Sequence, residues 1–262
     1  MSDRLFSVSD QVVLVSGGSR GIGRAVSAAF ASRGAQVIIT GRHKATLEET
    51  ASEISVGDRT VQSIVCDVAK AGDIRALVGA VVRDHGRIDT LLNVAGVNKR
   101  KRAESYSPEE YDFILDINLK GAFLLAQEVG RHMIARGKGA QINIDSLNTY
   151  APLRGVLPYA MSKAGLSMMT RGLAMEWGGH GVRVNGLAPG FILTDLNRQL
   201  WSEPKMQEWG HANTPLGRIG EGDDLVGTAI FLASEASAFM TGQTLYVDGG
   251  ISAGLCWPID LE

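Results

Sequence analysis

Short, continuous apolar runs alternate with longer stretches of helical period along almost the whole chain. Gln11-Val12-Val13-Leu14-Val15-Ser16 is the first run; it is rich in β-branched residues and too short for a buried helix, so it predicts a buried strand. Seven residues of glycine-rich loop follow, and Arg24 to Arg33 then shows helical period and closes on Gly34 as a C-cap. With Gln36-Val37-Ile38-Ile39-Thr40 as the next strand, strand, loop, helix and strand fall within about thirty residues, which is a βαβ unit. The alternation predicts further strands over 63–68, 88–94, 140–144, 183–187 and 244–247. Between them it predicts helices over 74–84, two helical stretches in 108–136 around Asn118, a long helix from Tyr159 to Trp177 closed by Gly178-Gly179, and a last one over 225–233. Strands separated by helices require crossover connections, so the expected fold is α/β: a doubly wound parallel sheet of about seven strands with helices on both faces.

Composition narrows the picture. The 262 residues are 45% hydrophobic and 21% charged, with 32 glycines and 7 prolines, which suits one compact domain over 1–262 with many tight turns and excludes a disordered or collagen-like chain. A net charge of -2 offers no global field for nucleic acid or an anionic membrane. Met1 to Asp10 carries Asp3, Arg4 and Asp10 without a long apolar run, and no stretch reaches membrane-spanning length, so a cytoplasmic protein is expected. Cys66 and Cys256 have no CxxC partner, and His43, His85, His132, His180 and His211 lack ligand spacing; no metal is expected.

Candidate chemistry gathers at the predicted carboxyl ends of the strands, where ligands bind in such sheets. The loop Gly17-Gly18-Ser19-Arg20-Gly21-Ile22-Gly23 lies between the first strand and its helix; backbone amides there can approach a pyrophosphate only where no Cβ intervenes, and the helix dipole favours the anion. Asn93, Ser146 and Pro189-Gly190 fall at the same edge. Tyr159 and Lys163 stand four residues apart on one face of the long helix. A lysine charge ~4 Å from a phenol is worth up to ~4 kcal/mol at an effective dielectric of ~20, so the pair is expected to bring the phenol toward neutral pH for proton transfer to or from an alcohol oxygen.

Taken together these motifs resemble the short-chain dehydrogenase/reductase family over nearly the whole chain. Gly17, Gly21 and Gly23 match its Gly-x-x-x-Gly-x-Gly loop, Asn93 to Gly96 its Asn-Asn-Ala-Gly segment, Asp67 its adenine-contacting acid, and Pro189-Gly190 with Thr194 its nicotinamide-contacting turn. Asn118, Ser146, Tyr159 and Lys163 match its catalytic tetrad, with Ser146 thirteen residues before Tyr159. Ser16, Val94 and Asp145 depart from the family pattern; strand alternation is expected to point Asp145 away from Ser146. The resemblance implies a Rossmann-type domain with a cofactor half over about 8–145 and a catalytic half over about 146–262. It implies Tyr159 as general acid/base, and Lys163 as both its tuner and a holder of the nicotinamide ribose. Ser146 is the partner of the substrate oxygen, and Asn118 holds a helix distortion and a proton-relaying water. Cofactor contacts are then expected from Gly17, Ser19, Arg20, Gly21, Ile22, Gly23, Arg42, Asp67, Val68, Asn93, Ala95, Gly96, Tyr159, Lys163, Pro189, Gly190, Ile192 and Thr194, and a homotetramer is expected.

The end of the second strand decides the cofactor. NAD enzymes place a carboxylate there for the ribose hydroxyl, whereas this chain has Gly41 followed by Arg42, with Arg20 in the glycine loop. Two guanidinium groups suit a 2′-phosphate, so NADP(H) is expected over NAD(H). For the substrate, the basic run Lys99-Arg100-Lys101-Arg102 begins beside the catalytic edge, and Arg100 is the candidate partner of a substrate anion, with Ser146, Asn148 and Tyr159 as the other substrate contacts. Phe191, Leu193, Leu196, Trp201 and Trp209 are expected to form a lid or, alternatively, core. The chain is most similar to gluconate 5-dehydrogenase-like and polyol members, with 3-oxoacyl-carrier-protein reductases as the alternative; a catalytically silent NADP-binding regulator is the reading from another class.

Overall fold

The computed structural model describes residues 4–57, 60–195 and 197–257. A single seven-stranded parallel sheet runs through it in the order β3-β2-β1-β4-β5-β6-β7, with β1 Val12–Ser16, β2 Gln36–Gly41, β3 Gln62–Val65, β4 Thr90–Asn93, β5 Gly139–Ile144, β6 Val182–Pro189 and β7 Thr244–Val247. The helices are α1 Gly21–Ser32, α2 Lys44–Glu53, α3 Ala71–His85, α4 Pro108–Leu115, α5 Ala122–Arg136, α6 Leu157–Trp177, α7 Arg198–Trp201, α8 Pro204–Ala212 and α9 Val226–Ala233. Two apolar layers flank the sheet. Phe30, Ile39, Leu92 and Ile230 belong to one; Leu14, Leu77, Leu125 and Trp177 belong to the other. Every position of β1 is buried, as a strand covered on both faces must be, and its unbroken apolar run follows from that.

Helix α2, helices α7 and α8 and the join between α4 and α5 differ from the expected elements. Helix α2 has little apolar periodicity to announce it: only Leu47, Thr50 and Ala51 are buried. Helix α6 ends at Trp177 with Gly178 as its C-cap, as its glycines predict. The chain continues as a 3₁₀ turn to His180 and stops at Gly181, whose φ of 72° is in the left-handed region; a Cβ there would also lie 2.1 Å from the Gly137 carbonyl oxygen. Between α4 and α5 the helix is not interrupted but widens into a π turn over Asp116–Gly121, the local form in which helices accommodate functional side chains. There a Cβ on Gly121 would meet the Val68 carbonyl oxygen at 2.6 Å.

Strand order reverses at β1, which has β2 on one side and β4 on the other. The crevice beyond the carboxyl ends of β1 and β4 is therefore where a ligand fits. Ser16 pairs with Asn93 in register, so the loops that follow, beginning at Gly17 and Val94, open side by side at that crevice.

Candidate active site

The glycine loop is built for close approach. A Cβ on Gly17 would stand 2.8 Å from the Ala95 backbone, and one on Gly23 2.1 Å from the Gly17 carbonyl oxygen. Gly17 and Gly21 take φ of 75° and 52°, conformations that cost a side-chain-bearing residue energy. The Thr50 hydroxyl on α2 anchors the loop by donating to the Ser19 carbonyl at 2.9 Å. Thr194 closes the opposite wall, within 3.3 Å of where a Gly21 Cβ would be. This cradle, wide enough for backbone amides to face a phosphate but not for side chains, fits a dinucleotide. At its outer end Ser19 borders Gly41, and Arg20 and Arg42 are exposed with no hydrogen-bond or ion-pair partner among the described residues.

The remaining expected cofactor residues divide by what their side chains are free to do. Asp67 follows β3 and bonds its own turn through the Ala69 amide at 3.1 Å; Val68 is buried in one apolar layer and Ile22 is half-buried against the other. Gly96 borders Asn118, whose Oδ1 lies 3.5 Å from a Cβ position on it. Gly190 lies against the Asp248 backbone, with no room for a side chain; Pro189 ends β6. Two of them offer a ligand only their main chain. The Asn93 side chain turns into the sheet, donating to Asn143 Oδ1 at 3.0 Å, because its strand is covered on both faces and a buried amide needs a partner; only its backbone borders the crevice. Ile192 sends its side chain into the core and likewise leaves only main chain for a ligand.

Asn118, Ser146, Tyr159 and Lys163 are brought together from the π turn, the end of β5 and helix α6. Asn118 is buried, accepts the Val97 amide at 2.8 Å and donates to the Val97 carbonyl at 2.9 Å and to Ser162 Oγ at 3.1 Å. Ser162, between Tyr159 and Lys163 in sequence, is thus a supporting residue that the motif pattern alone did not single out. Lys163 is buried and donates to the Ile144 carbonyl at 2.6 Å; burial pulls its pKa down to about 8, against the raising field of Asp145. The Ser146 hydroxyl pulls the Tyr159 pKa down, yet burial dominates and pushes it above the ordinary tyrosine value. The expectation that Lys163 tunes the phenol is corrected accordingly. The ammonium stands 5.6 Å from the ring centroid, one of its three N–H groups is given to the Ile144 carbonyl, and low dielectric penalises both charges.

Asn148 supports Ser146: its Nδ2 and backbone amide donate to Ser146 Oγ at 3.2 and 3.1 Å, and its Oδ1 accepts the Leu153 amide at 2.9 Å. Three residues of the basic run pair with carboxylates. Lys99 and Lys101 bind Glu110 of α4 at 3.2 and 2.6 Å, and Arg102 binds Glu104 at 2.5 Å. Among the described residues the Arg100 guanidinium alone of the four has no partner. Its loop is tied to the catalytic segment, since the Lys101 amide donates to the Gly155 carbonyl at 2.9 Å and the Tyr106 hydroxyl to the Lys99 and Gly155 carbonyls at 2.5 and 3.2 Å. Beyond β6, Phe191 packs on Trp201 and Trp209 with centroids 5.2 Å apart in each pair; these form a small cluster separate from the two main apolar layers, with α7 and α8 carrying the tryptophans. Leu193 joins this segment to Gly220 through its amide, and Leu196 lies outside the described residues.

The chain is similar to known proteins over nearly its whole length. The family described as Enoyl-(Acyl carrier protein) reductase matches residues 17–252. Gluconate 5-dehydrogenase of Gluconobacter oxydans (strain 621H) is 38% identical, the match covering 96% of this chain and 98% of that protein. D-threitol dehydrogenase of Mycolicibacterium smegmatis is also 38% identical, over 94% of each. Among solved structures, a gluconate 5-dehydrogenase from Burkholderia cenocepacia J2315 in complex with NADP and tartrate superimposes with a TM-score of 0.92 at 37% identity, covering 96% of this chain and 99% of that one.

Proposed function

The chain belongs to the short-chain dehydrogenase/reductase family and is an oxidoreductase of CH–OH groups; from that premise we propose that it interconverts a secondary alcohol and a ketone on a sugar acid or polyol, using NADP(H). The nicotinamide supplies or accepts the hydride at the carbinol carbon. Tyr159 gives its hydroxyl proton to the ketone oxygen, or removes the proton from the alcohol. Ser146, held by Asn148, donates a hydrogen bond to the same oxygen and stabilises charge developing there. Lys163 holds the ribose and, with Asn118 opposite Ser162 and Val97, leads protons away from Tyr159.

The observation that carries the substrate reading is Arg100, an unpaired guanidinium on the loop bonded to the catalytic segment at Gly155. A hydroxy-acid is its natural partner, and gluconate, threitol and tartrate stand in the names of similar proteins. The unpaired Arg20 and Arg42 support NADP(H). The test is turnover on matched sugar acids, polyols and β-ketoesters with both cofactors; activity confined to β-ketoesters overturns the sugar-acid reading. Arg100→Ala is expected to raise KM for acidic substrates by up to about fivefold, an exposed ion pair being worth ~0–1 kcal/mol, and to leave neutral ones unchanged. Equal effects on the two classes would mean that Arg100 only solvates its loop.

A homotetramer is part of this proposal. Tyr111, Phe113, Phe123, Leu157, Met161 and Met168 are exposed on α4, α5 and α6, an apolar surface of the kind that subunit contacts cover. Sedimentation equilibrium reports the mass directly, and a monomer removes this part.

A further inference from the structure

Asp145 sits one residue beyond β5, where its amide donates to the Leu187 carbonyl at 2.8 Å, and only 2% of its surface is exposed. Strand alternation was expected to take it out of the site. Instead the carboxyl lies between the Ser146 turn and α6, because the chain leaves the sheet at this residue and folds back over it. Its two oxygens are treated differently. Oδ1 accepts the Ser146 amide at 3.0 Å and the Thr149 hydroxyl at 2.5 Å. Oδ2 is buried with no hydrogen-bond partner. A carboxyl so placed is costly unless something answers its charge. No lysine or arginine forms an ion pair with it among the described residues; the cation whose field meets it is Lys163.

We propose that Asp145 is a positioning residue of the reaction: its Oδ1 fixes the turn that carries Ser146, and its buried carboxylate, next in the chain to the Ile144 carbonyl that holds Lys163, is the negative charge that faces the acid/base pair. The inference rests on Tyr159 as the acid/base group. A negative charge in low dielectric favours the protonated form of every neighbour, and Asp145 does raise Lys163, Tyr159 and Tyr246. Burial raises Asp145 in turn, while Thr149, Lys163, Ser146 and Ser167 pull it back. The groups facing this pocket are Tyr159, Lys163 and Ser167 from α6, Ser146, Thr149 and Tyr150 from the turn, and Tyr246 of β7 with Asp248 beyond it. Asp248 is committed elsewhere, to the Gly250 and Ser252 amides. Alcohol oxidation needs tyrosinate and ketone reduction needs the phenol, so the carboxylate places the crossover between them at higher pH than the site would have without it.

Asp145→Asn keeps the shape and the Oδ1 acceptor and removes the charge; Asp145→Ala removes both. In Asp145→Asn the onset of alcohol oxidation and the alkaline limb of ketone reduction are expected to move together to lower pH by roughly one unit, the size of a neighbouring-charge effect. Tyrosinate absorbance gives a readout independent of turnover: with Tyr159→Phe subtracted from the wild type, and the double variant Tyr159→Phe with Asp145→Asn subtracted from Asp145→Asn, the other four of the five tyrosines cancel in each, and Tyr159 should ionise at correspondingly lower pH in Asp145→Asn. Asp145→Ala should lose about tenfold in kcat beyond this shift, as Ser146 is no longer held. Asp145→Ser, with thermal unfolding recorded, replaces Asn if that variant does not fold. A tyrosinate titration and pH limbs that superimpose on the wild type would overturn the charge assignment, and a kcat equal to that of Asp145→Asn in the Ala variant would overturn the turn assignment. Activity surviving in Tyr159→Phe would instead remove the acid/base reading itself, so the two failures are distinct.

Discussion

Tyr159→Phe is expected to abolish turnover while leaving NADP(H) affinity nearly unchanged. The substitution removes one oxygen, the atom that carries the transferred proton, and leaves the ring on α6 with its packing intact. Positioned acid/base catalysis is worth roughly 10²-fold or more in rate, so initial rates should fall at least that far at every pH. Cofactor fluorescence titration should meanwhile give the same Kd within about twofold, since Lys163 and the glycine loop are untouched. Retention of more than about a tenth of kcat would show that another group transfers the proton. Because burial holds both Tyr159 and Lys163 toward their neutral forms, the wild-type rate of alcohol oxidation should climb with pH, as the phenol must be deprotonated before it can accept a proton.

Arg42→Ala should weaken NADPH about tenfold and leave NADH within about twofold. The residue follows β2 directly, stands exposed beside the Ser19 and Gly41 corner, and spends its guanidinium on nothing else. A charge-assisted bond to a phosphate contributes about 1.5 kcal/mol at the low end, appropriate to a solvent-exposed group, which is roughly a tenfold change in Kd. The difference should shrink as salt rises, because an exposed pair is screened. Equal losses for both cofactors would mean that Arg42 supports the loop rather than reading the 2′-phosphate.

What could be read directly from the sequence was whatever depends on local pattern. The unbroken apolar runs of β1 and β2 and the glycines before α1 each encode their structure within a few neighbouring residues, since burial on both faces and positive φ leave a compositional mark. Parallel pairing followed from the alternation, and the motif spacings carried the residues that the π turn, β5 and α6 bring together. Helix α2 left no such mark because its exposed face has nothing to bury, although Thr50 on it anchors the glycine loop. Tertiary structure decided the rest, through contacts between residues distant in sequence and through the dielectric they share. Glu110 claims Lys99 and Lys101, which leaves Arg100 as the free cation of a run that reads as uniform. Asn93 is drawn to Asn143, fifty residues away, because a buried amide needs a partner. The ionisation of Tyr159 and Lys163 likewise follows from what surrounds them: a four-residue spacing fixes that both lie on one helical face, whereas burial, the Ile144 carbonyl and the Asp145 carboxyl fix where their protons reside.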